Sequence, residues 1–290
     1  MPEFLTINPT VIILMLILYA VIFTITTILM FKDKLTKKVS ITLLFLSIFV
    51  SGFILGGIPN VVFPIQQFFL ELSNLLNNRV NPFYNPTNLI PMAVILFAFL
   101  STTIIFGRIF CSHVCPMGAA QELISKINYT DNPSENNYKI IISGGKANVI
   151  RIIFLIGIII STIFFSFPLY QLIDPFRTFS VFSNISIVAT AFMLIPIFVF
   201  TAIMITSLFI YRPWCRSLCP FGAIAWLTSR FSKYVLNRSD KCTNCQICEK
   251  ICPTGEAFST SIKAECYVCT RCFDKCKVKT IKFKKREKNA

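Results

Sequence analysis

Twelve cysteines are the residues in this 290-residue chain whose spacing points most directly to chemistry. Eight of them fall near the C-terminus in two runs, "CTNCQICEKIC" starting at Cys242 and "CYVCTRCFDKC" starting at Cys266. Each run has the spacing C-x2-C-x2-C-x3-C. Three thiolates on one tight loop can bind three corners of an iron–sulfur cube, and the fourth cysteine of such a run ligates the cluster of the other run. The tail is therefore predicted to hold two clusters.

The expected ligands of these two [4Fe-4S] clusters follow from that exchange of the fourth cysteine. The first cluster is predicted on Cys242, Cys245, Cys248 and Cys276, and the second on Cys266, Cys269, Cys272 and Cys252. Zinc and disulfides are the alternatives, but structural zinc usually takes two separated C-x2-C pairs, and disulfides are disfavoured in the cytoplasm. Lys277 follows Cys276 where a proline follows Cys252. Because proline donates no ligand, the prediction stands.

The remaining four cysteines form two C-x3-C-P pairs, in "RIFCSHVCPMGAA" from Arg108 and "RPWCRSLCPFGAI" from Arg212. A shift of 104 positions superimposes the two stretches, and it also aligns "FPIQQ" from Phe63 with "FPLYQ" from Phe167. One offset that serves two distant patches indicates duplication of a two-helix unit. A pseudo-two-fold axis between the units would bring all four thiolates to one site, which is the ligand count of an iron–sulfur cluster. The cysteines of this probable shared site are Cys111, Cys115, Cys215 and Cys219.

Three alternatives for these four cysteines stay open at this point: a redox-active dithiol in each motif, another metal, and cysteines that only pack at helix ends. His113, the only histidine, lies inside the first pair as a further candidate ligand or as a polar loop residue. Pro116 and Pro220 are expected in the first turn of the helices that follow, leaving backbone N–H groups directed at the cysteines. An arginine three residues before each pair adds positive charge.

The composition indicates what surrounds these motifs. Hydrophobic residues make up 54% of the chain, charged residues only 14%, and the mean hydropathy is +0.69, which exceeds what a soluble domain carries. Segments long and apolar enough to cross a bilayer are predicted over residues 11–31, 41–57, 89–106, 149–167 and 185–211. Arg151 falls near the end of the fourth segment and is expected to snorkel to the interface.

The distribution of basic residues predicts the orientation in the membrane. With the N-terminus outside, the outer loops hold only Arg79 and Arg177, so 26 of the 28 lysines and arginines face the cytoplasm. The C-terminal tail is then cytoplasmic, the two units are parallel repeats, and both cysteine pairs end at the cytoplasmic face. Topology also accounts for the net charge of +15, so the lipid bilayer, and not nucleic acid, is the expected partner.

The predicted fold class is mainly α, an integral membrane helical bundle of about five transmembrane helices with a two-helix internal parallel repeat. A C-terminal α+β ferredoxin-like module with two [4Fe-4S] clusters completes it. The expected domains are a transmembrane helical domain over residues 1–237, a cytoplasmic ferredoxin domain over 238–284 and a basic tail over 285–290. "YVLN" from Tyr234 and "TIKF" from Thr280 are expected to be short strands, with a helical turn near 246–251.

With both cysteine patterns, the chain resembles the membrane-bound ferredoxin-type proteins found beside periplasmic nitrate reductase and methylamine dehydrogenase, the NapH/MauN type. It is also similar to the C-terminal half of the nitrous-oxide reductase regulators and to the cytochrome oxidase accessory polyferredoxins. The resemblance covers nearly the whole chain and rests on the two C-x3-C-P motifs, the two ferredoxin runs and "DPFR" from Asp174 to Arg177. It implies proteins that move electrons between the quinone pool or cytoplasmic donors and a partner redox enzyme, or that support the maturation of that enzyme.

The predicted function is a membrane-bound iron–sulfur electron-transfer protein, a carrier or a subunit of an oxidoreductase system more than a stand-alone enzyme. Its expected partners are a soluble ferredoxin-type donor or acceptor and a membrane or secreted oxidoreductase. A quinone is the candidate small molecule, docking near the cysteine face or near the outer loop, where Asp174 and Arg177 are either part of its site or an ordinary ion pair. An assembly or regulatory factor for a partner metalloenzyme is the competing hypothesis. A transporter is disfavoured, since the apolar segments hold almost no ionisable residue.

Overall fold

The structure, a computed structural model, describes residues 9–57, 60–77, 89–127, 144–165, 170–183, 193–258 and 260–286. This part of the chain is mostly helical. The α-helices are α1 (Pro9–Phe31), α2 (Lys37–Ser47), α3 (Val62–Asn77), α4 (Leu89–Phe106), α5 (Pro116–Ile127), α6 (Gly144–Phe165), α7 (Tyr170–Ile173), α8 (Arg177–Ser183), α9 (Leu194–Thr206), α10 (Pro220–Ser229), α11 (Ile247–Lys250) and α12 (Arg271–Lys275). Three π-helical segments, Ile48–Ile54, Phe110–Val114 and Trp214–Leu218, and two strands, β1 (Tyr234–Arg238) and β2 (Ile281–Lys285), complete them.

The predicted apolar segments coincide with helices, but the five-span bundle is not confirmed. Among the described residues, Lys37–Ile54 and Gly144–Phe164 are long and apolar enough to cross a membrane, while Ala20–Phe31, Ala93–Phe106 and Leu194–Thr206 are shorter apolar helices. The predicted segment 185–211 contains a helix only from Leu194, because residues 207–210 form turns and 184–192 lie outside the described residues.

Large apolar side chains project outward from these helices. Phe97 on α4 and Phe198 on α9 are each 74% exposed, and Phe164 on α6 is 72% exposed. So many large, exposed apolar side chains are unusual on a water-soluble monomer. The outer faces of these helices are therefore suited to apolar surroundings.

The two sequence repeats fold into two similar units. In the first unit, α2 packs against the π-helical segment Phe110–Val114 and against α5; in the second, α6 packs against Trp214–Leu218 and against α10. Between the units, α3 contacts α6 while α8 contacts Ile48–Ile54, and α4 contacts α10 while α9 contacts α5. Each of these contacts between the units therefore has a counterpart with the two units exchanged, which is the pattern of a pseudo-two-fold axis.

The first cysteine motif turns back into the helical body. α4 ends beside the tail, where the N–H of Lys233 donates to the carbonyl oxygen of Ile104 at 3.0 Å. From there the chain runs inward until Ser47 donates to the carbonyl oxygen of Val114 at 2.7 Å. Ser47 is ten residues into α2 from Lys37, about 15 Å at 1.5 Å per residue. The first cysteine motif therefore packs against the middle of the helical stretch 37–54, and its position relative to a membrane face stays a prediction.

The C-terminal tail contains a small antiparallel sheet. β1 and β2 pair with Leu236 opposite Phe283, and they coincide with the two strands predicted from the sequence. Tyr234 on β1 packs against Phe31 and Phe106, with ring centroids 5.1 and 5.7 Å apart. This aromatic contact docks the sheet on the ends of α1 and α4. The short helices α11 and α12 lie within the first and the second cysteine run.

Candidate metal centre

The two C-x3-C-P motifs meet at one cavity. Its lining includes the sulfur-bearing residues of both repeats, Cys111, Cys115, Cys215 and Cys219, and all four side chains are buried. Aromatic and apolar groups from several elements close it: Val61 before α3, Phe176 before α8, Trp214 and Tyr267. The structure thus brings the four predicted residues together in a site shielded from water.

The backbone places each cysteine pair in the same way. The N–H of Cys115 donates to the carbonyl oxygen of Phe110 at 3.0 Å, and that of Cys219 donates to Trp214 at 2.9 Å. This spacing of five residues makes a wide π-helical turn, a feature frequent at functional sites. Cys115 and Cys219 are then extended, with ψ near 121° and 116°, and the following prolines start α5 and α10. The second cysteine of each pair therefore lies at a helix N-terminus.

Two glycines allow each new helix to fold back over its own motif. A Cβ atom added at Gly118 would lie 2.0 Å from the carbonyl oxygen of Cys111, and one at Gly222 would lie 2.7 Å from that of Cys215. No side chain fits at such distances. The backbone N–H groups of the same two glycines approach the sulfur atoms of Cys115 and Cys219, as expected for helix N-termini beside thiolates.

Arginines from each repeat cross to the other repeat. Arg212 Nη1 donates to the carbonyl oxygen of Cys111 at 2.8 Å, and Arg108 Nη2 donates to that of Gly222 at 3.1 Å. Arg151, which was expected to snorkel, is instead fully buried and donates to the carbonyl oxygen of Cys215 at 3.3 Å. The guanidiniums of Arg108 and Arg212 therefore tie the two cysteine motifs together.

Two buried glutamates pair with these arginines. Glu122 on α5 lies 2.9 Å from Arg212 Nε, and Glu265 in the tail lies 2.6 Å from Arg151 Nη2. Arg271, also in the tail, reaches Glu122 at 3.4 Å. Burial alone would raise the pKa of Glu122, but Arg271 and Arg212 outweigh it and lower the pKa to about 2. Glu122 is therefore ionised. It links Arg271 of the tail to Arg212 of the second cysteine motif.

The net charge of the buried arginines and glutamates indicates which kind of cofactor the site can hold. These residues are Arg108, Arg151, Arg212, Arg216 and Arg271 against Glu122 and Glu265. Five arginines against two glutamates leave an excess of three positive charges, which buried neutral thiols or disulfides would not balance. Four thiolates around an iron–sulfur core carry negative charge. The residues present therefore fit an anionic cluster.

The two cysteine runs of the tail share a backbone pattern. The residues on either side of the middle cysteine have positive φ in both runs: Asn244 (52°) and Gln246 (58°) in the first, Val268 (53°) and Thr270 (70°) in the second. Alternation of this kind directs successive N–H groups into a concave anion-binding nest. Val268 adopts it despite its β-branched side chain, for which positive φ is a genuine outlier. Both runs are thus shaped to wrap an anionic group.

The structure gathers the ligands predicted for the second tail cluster more closely than those for the first. One cavity is lined by Cys252, Cys266, Cys269 and Cys272, together with Cys248 of the first set. Cys242, Cys245 and Cys276 are not among its lining residues, and Cys245 is exposed. The ligand assignment of the first cluster remains a prediction.

The thiols of the tail differ in their surroundings. Burial raises the pKa of Cys266 to about 12. At Cys276 burial also raises the pKa, but hydrogen bonds from Thr280, whose backbone nitrogen lies 3.4 Å from the sulfur, outweigh it and lower the pKa.

Across the described residues, no three His, Cys, Asp or Glu side chains form a group that could hold a single metal ion.

Two further residues considered from the sequence lie elsewhere than expected. His113 is fully buried, so it is not a polar loop residue, and its Nε2 lies 3.0 Å from Ser40 Oγ; it is not among the residues that line the four-cysteine cavity. Asp174 is buried and accepts hydrogen bonds from Asn60 at 2.7 Å and Tyr170 at 3.2 Å. Arg177 Nη1 donates to the carbonyl oxygen of Gln171 at 3.0 Å, and its positive charge also acts on the Asp174 carboxylate.

Tyr267 is one residue of this region that sequence reasoning missed, as it also missed the buried Glu122 and Glu265. Tyr267 lines both the tail cavity and the four-cysteine cavity, and its hydroxyl accepts a hydrogen bond of 2.6 Å from Arg108. Its position between Cys266 and Cys269 was visible in the sequence. Its contact with the helical body was not, because that contact depends on how the tail docks.

Comparison with known proteins agrees with this geometry. The chain matches the family of a 4Fe-4S binding domain over residues 88–128 and 191–238. The two matched segments contain the two C-x3-C-P motifs, and the second ends before the tail cysteines. The class defined by fold and site is therefore that of 4Fe-4S proteins.

Curated relatives agree with this class. The chain is 28% identical over 196 residues to YccM of Escherichia coli (strain K12), named as a candidate electron transport protein, covering 64% of this chain and 53% of YccM. It is 30% identical over 201 residues to the regulatory protein NosR of Stutzerimonas stutzeri, covering 63% and 25%. It is 26% identical over 166 residues to the methylamine utilization ferredoxin-type protein MauN of Methylobacillus flagellatus, covering 54% and 53%.

The chain is therefore similar to ferredoxin-type and electron transport proteins, as its cysteine motifs indicated. It spans about half the length of YccM and of MauN and a quarter of NosR. No solved structure gives a significant match.

Proposed function

We propose that this protein is a membrane-bound iron–sulfur electron-transfer protein with two [4Fe-4S] clusters in its tail and a third cluster held by the four cysteines of the repeated motifs. The observation that carries the proposal is the meeting of both motifs at one buried cavity. The tail contributes Glu265 and Tyr267 to that site and its surroundings. The predicted cluster ligands of the tail and of the helices therefore belong to one assembly.

The cysteines, the arginines and the apolar lining residues would each have a separate role. The cysteines hold the clusters, which supply one-electron redox chemistry when bound. The crossing arginines balance thiolate charge and fix the distance between the two motifs. Trp214, Phe176 and Val61 keep water from the cavity, so the charges inside act through a medium of low dielectric.

The membrane assignment rests on the outward-facing apolar helices and on the charge pattern. Helices α1, α4, α6 and α9, together with α2 and the π-helical segment after it, would be the five spans. With the N-terminus outside, the tail is cytoplasmic. The tail cysteines would then exchange electrons with a soluble carrier at the exposed Cys245.

A quinone and a partner oxidoreductase are the proposed reaction partners on the membrane side. Val61 and Phe176, which line the four-cysteine cavity, come from connections that the charge pattern places on the outer side. Asp174, two residues from Phe176, is buried among polar partners. A donor or acceptor that approaches from that side would thus meet the cavity wall directly.

Iron and sulfide analysis with electron paramagnetic resonance of the purified protein tests the proposal. Two tail clusters account for about eight irons per chain, and a third cube raises this to about twelve. Fewer than about four irons after anaerobic reconstitution would contradict the proposed function.

A role in assembly of a partner metalloenzyme is the second candidate, favoured by the similarity to the regulatory protein NosR. Deletion of the gene separates the two. Loss of the partner enzyme's cofactor indicates assembly, whereas an intact partner enzyme that is no longer reduced indicates electron transport.

A further inference from the structure

We propose that Tyr267 is the residue through which electrons pass between the tail cavity and the four-cysteine cavity; this rests on the proposed function. Its side chain lines both cavities and is 2% exposed. It therefore stands between the ligands predicted for the second tail cluster and those of the third site.

A short path joins the two sets of ligands through this residue. Tyr267 directly follows Cys266 in the chain, and its hydroxyl donates to the carbonyl oxygen of Cys215 at 3.4 Å. The path from Cys266 to Cys215 therefore consists of covalent bonds and one hydrogen bond.

The ring of Tyr267 is held in one position by its surroundings. The guanidinium carbons of Arg108 and Arg212 lie 5.0 and 4.8 Å from the ring centroid, within the range of cation–π attraction. Tyr211 packs edge-on at 6.2 Å. A fixed ring keeps the contact with Cys215 constant.

The positive charges of Arg108 and Arg212 also determine whether Tyr267 itself is oxidised during the transfer. Two positive charges beside the ring oppose the removal of an electron from it, so Tyr267 bridges the sites without becoming a radical. One electron, supplied to the tail by a low-potential donor such as dithionite, arrives at the four-cysteine site. No bond forms or breaks, and no proton leaves the hydroxyl.

The test follows the arrival of electrons at the third site in the full-length protein. The protein is mixed anaerobically with a limiting amount of dithionite, frozen at intervals and examined by electron paramagnetic resonance. The variants are Tyr267→Phe, which keeps the ring and removes the hydroxyl contact, and Tyr267→Leu, which removes both. Tyr234→Phe, in a tyrosine that contacts the helices but lines neither cavity, is the matched control.

We expect the reduction of the third site to slow in the order parent, Tyr267→Phe, Tyr267→Leu, with iron content and midpoint potentials unchanged. Tyr234→Phe should match the parent. A parental rate in Tyr267→Phe overturns the inference even if Tyr267→Leu fails to fold, and so does a slowing that a shifted potential explains. A parent protein without a third signal contradicts the proposed function itself, and the inference falls with it.

Discussion

Arg212, in the second cysteine motif, donates a hydrogen bond of 2.8 Å to the carbonyl oxygen of Cys111 in the first. Its Nε lies 2.9 Å from Glu122, and both side chains are fully buried. One residue thus ties the two halves of the proposed site together and places a positive charge beside it.

Replacement of that charge should change the redox behaviour of the third site. In Arg212→Gln, loss of a buried cation destabilises the more negative, reduced state, so the midpoint potential should fall. Potentiometric titration followed by electron paramagnetic resonance measures it. Arg230→Gln, in an arginine stacked over Trp226 and exposed to solvent, serves as the control and should leave the potential unchanged. Equal potentials in both variants would contradict the electrostatic role.

Gly118 should tolerate no side chain. In Gly118→Ala the new Cβ would meet the carbonyl oxygen of Cys111 at 2.0 Å, so α5 must shift away from its motif. We expect loss of about four irons per chain and of the third signal. Gly157→Ala, where nothing lies within 4 Å of the added Cβ, is the matched helical control and should keep its iron. An unchanged iron content in Gly118→Ala would show that the close approach is not needed.

Glu122 should contribute strongly to stability. In Glu122→Gln, Arg212 and Arg271 lose their buried carboxylate, a change that typically costs about 3–5 kcal/mol. The control is Asp33→Asn, since Asp33 pairs with Lys282 at 3.6 Å with both side chains nearly half exposed. Exposed pairs contribute about 0–1 kcal/mol. Thermal unfolding in detergent compares the two, and similar losses in both would argue against a buried network.

The two tail clusters should respond differently to loss of a ligand. Cys245→Ser, at an exposed position, should remove the first cluster and leave the second. Cys269→Ser, inside the tail cavity, should remove the second and also prevent the first from reducing the third site. Electron paramagnetic resonance during reduction by a soluble carrier follows both effects. If Cys269→Ser still passes electrons to the third site, the proposed order of the centres is incorrect.

The sequence predicted the pairing of the two motifs but not their contacts with the surrounding helices. The shift of 104 residues that aligns Cys111 with Cys215 is visible without a structure, and so are the strands beside the tail cysteines. The contact of Val114 with Ser47 on α2 is not visible, because it depends on how the helices pack in three dimensions. Arg151 shows the same limit. An arginine near the end of an apolar segment is expected to reach water, and only the tail's Glu265, 114 residues away, explains why it stays buried.

The measurement that tests the account most directly is iron content with electron paramagnetic resonance on the quadruple variant in which Cys111, Cys115, Cys215 and Cys219 are all alanine. We expect the variant to lose the third signal, with about four irons fewer per chain, while both tail signals remain. A spectrum and iron content equal to those of the parent would contradict a cluster shared by the two motifs.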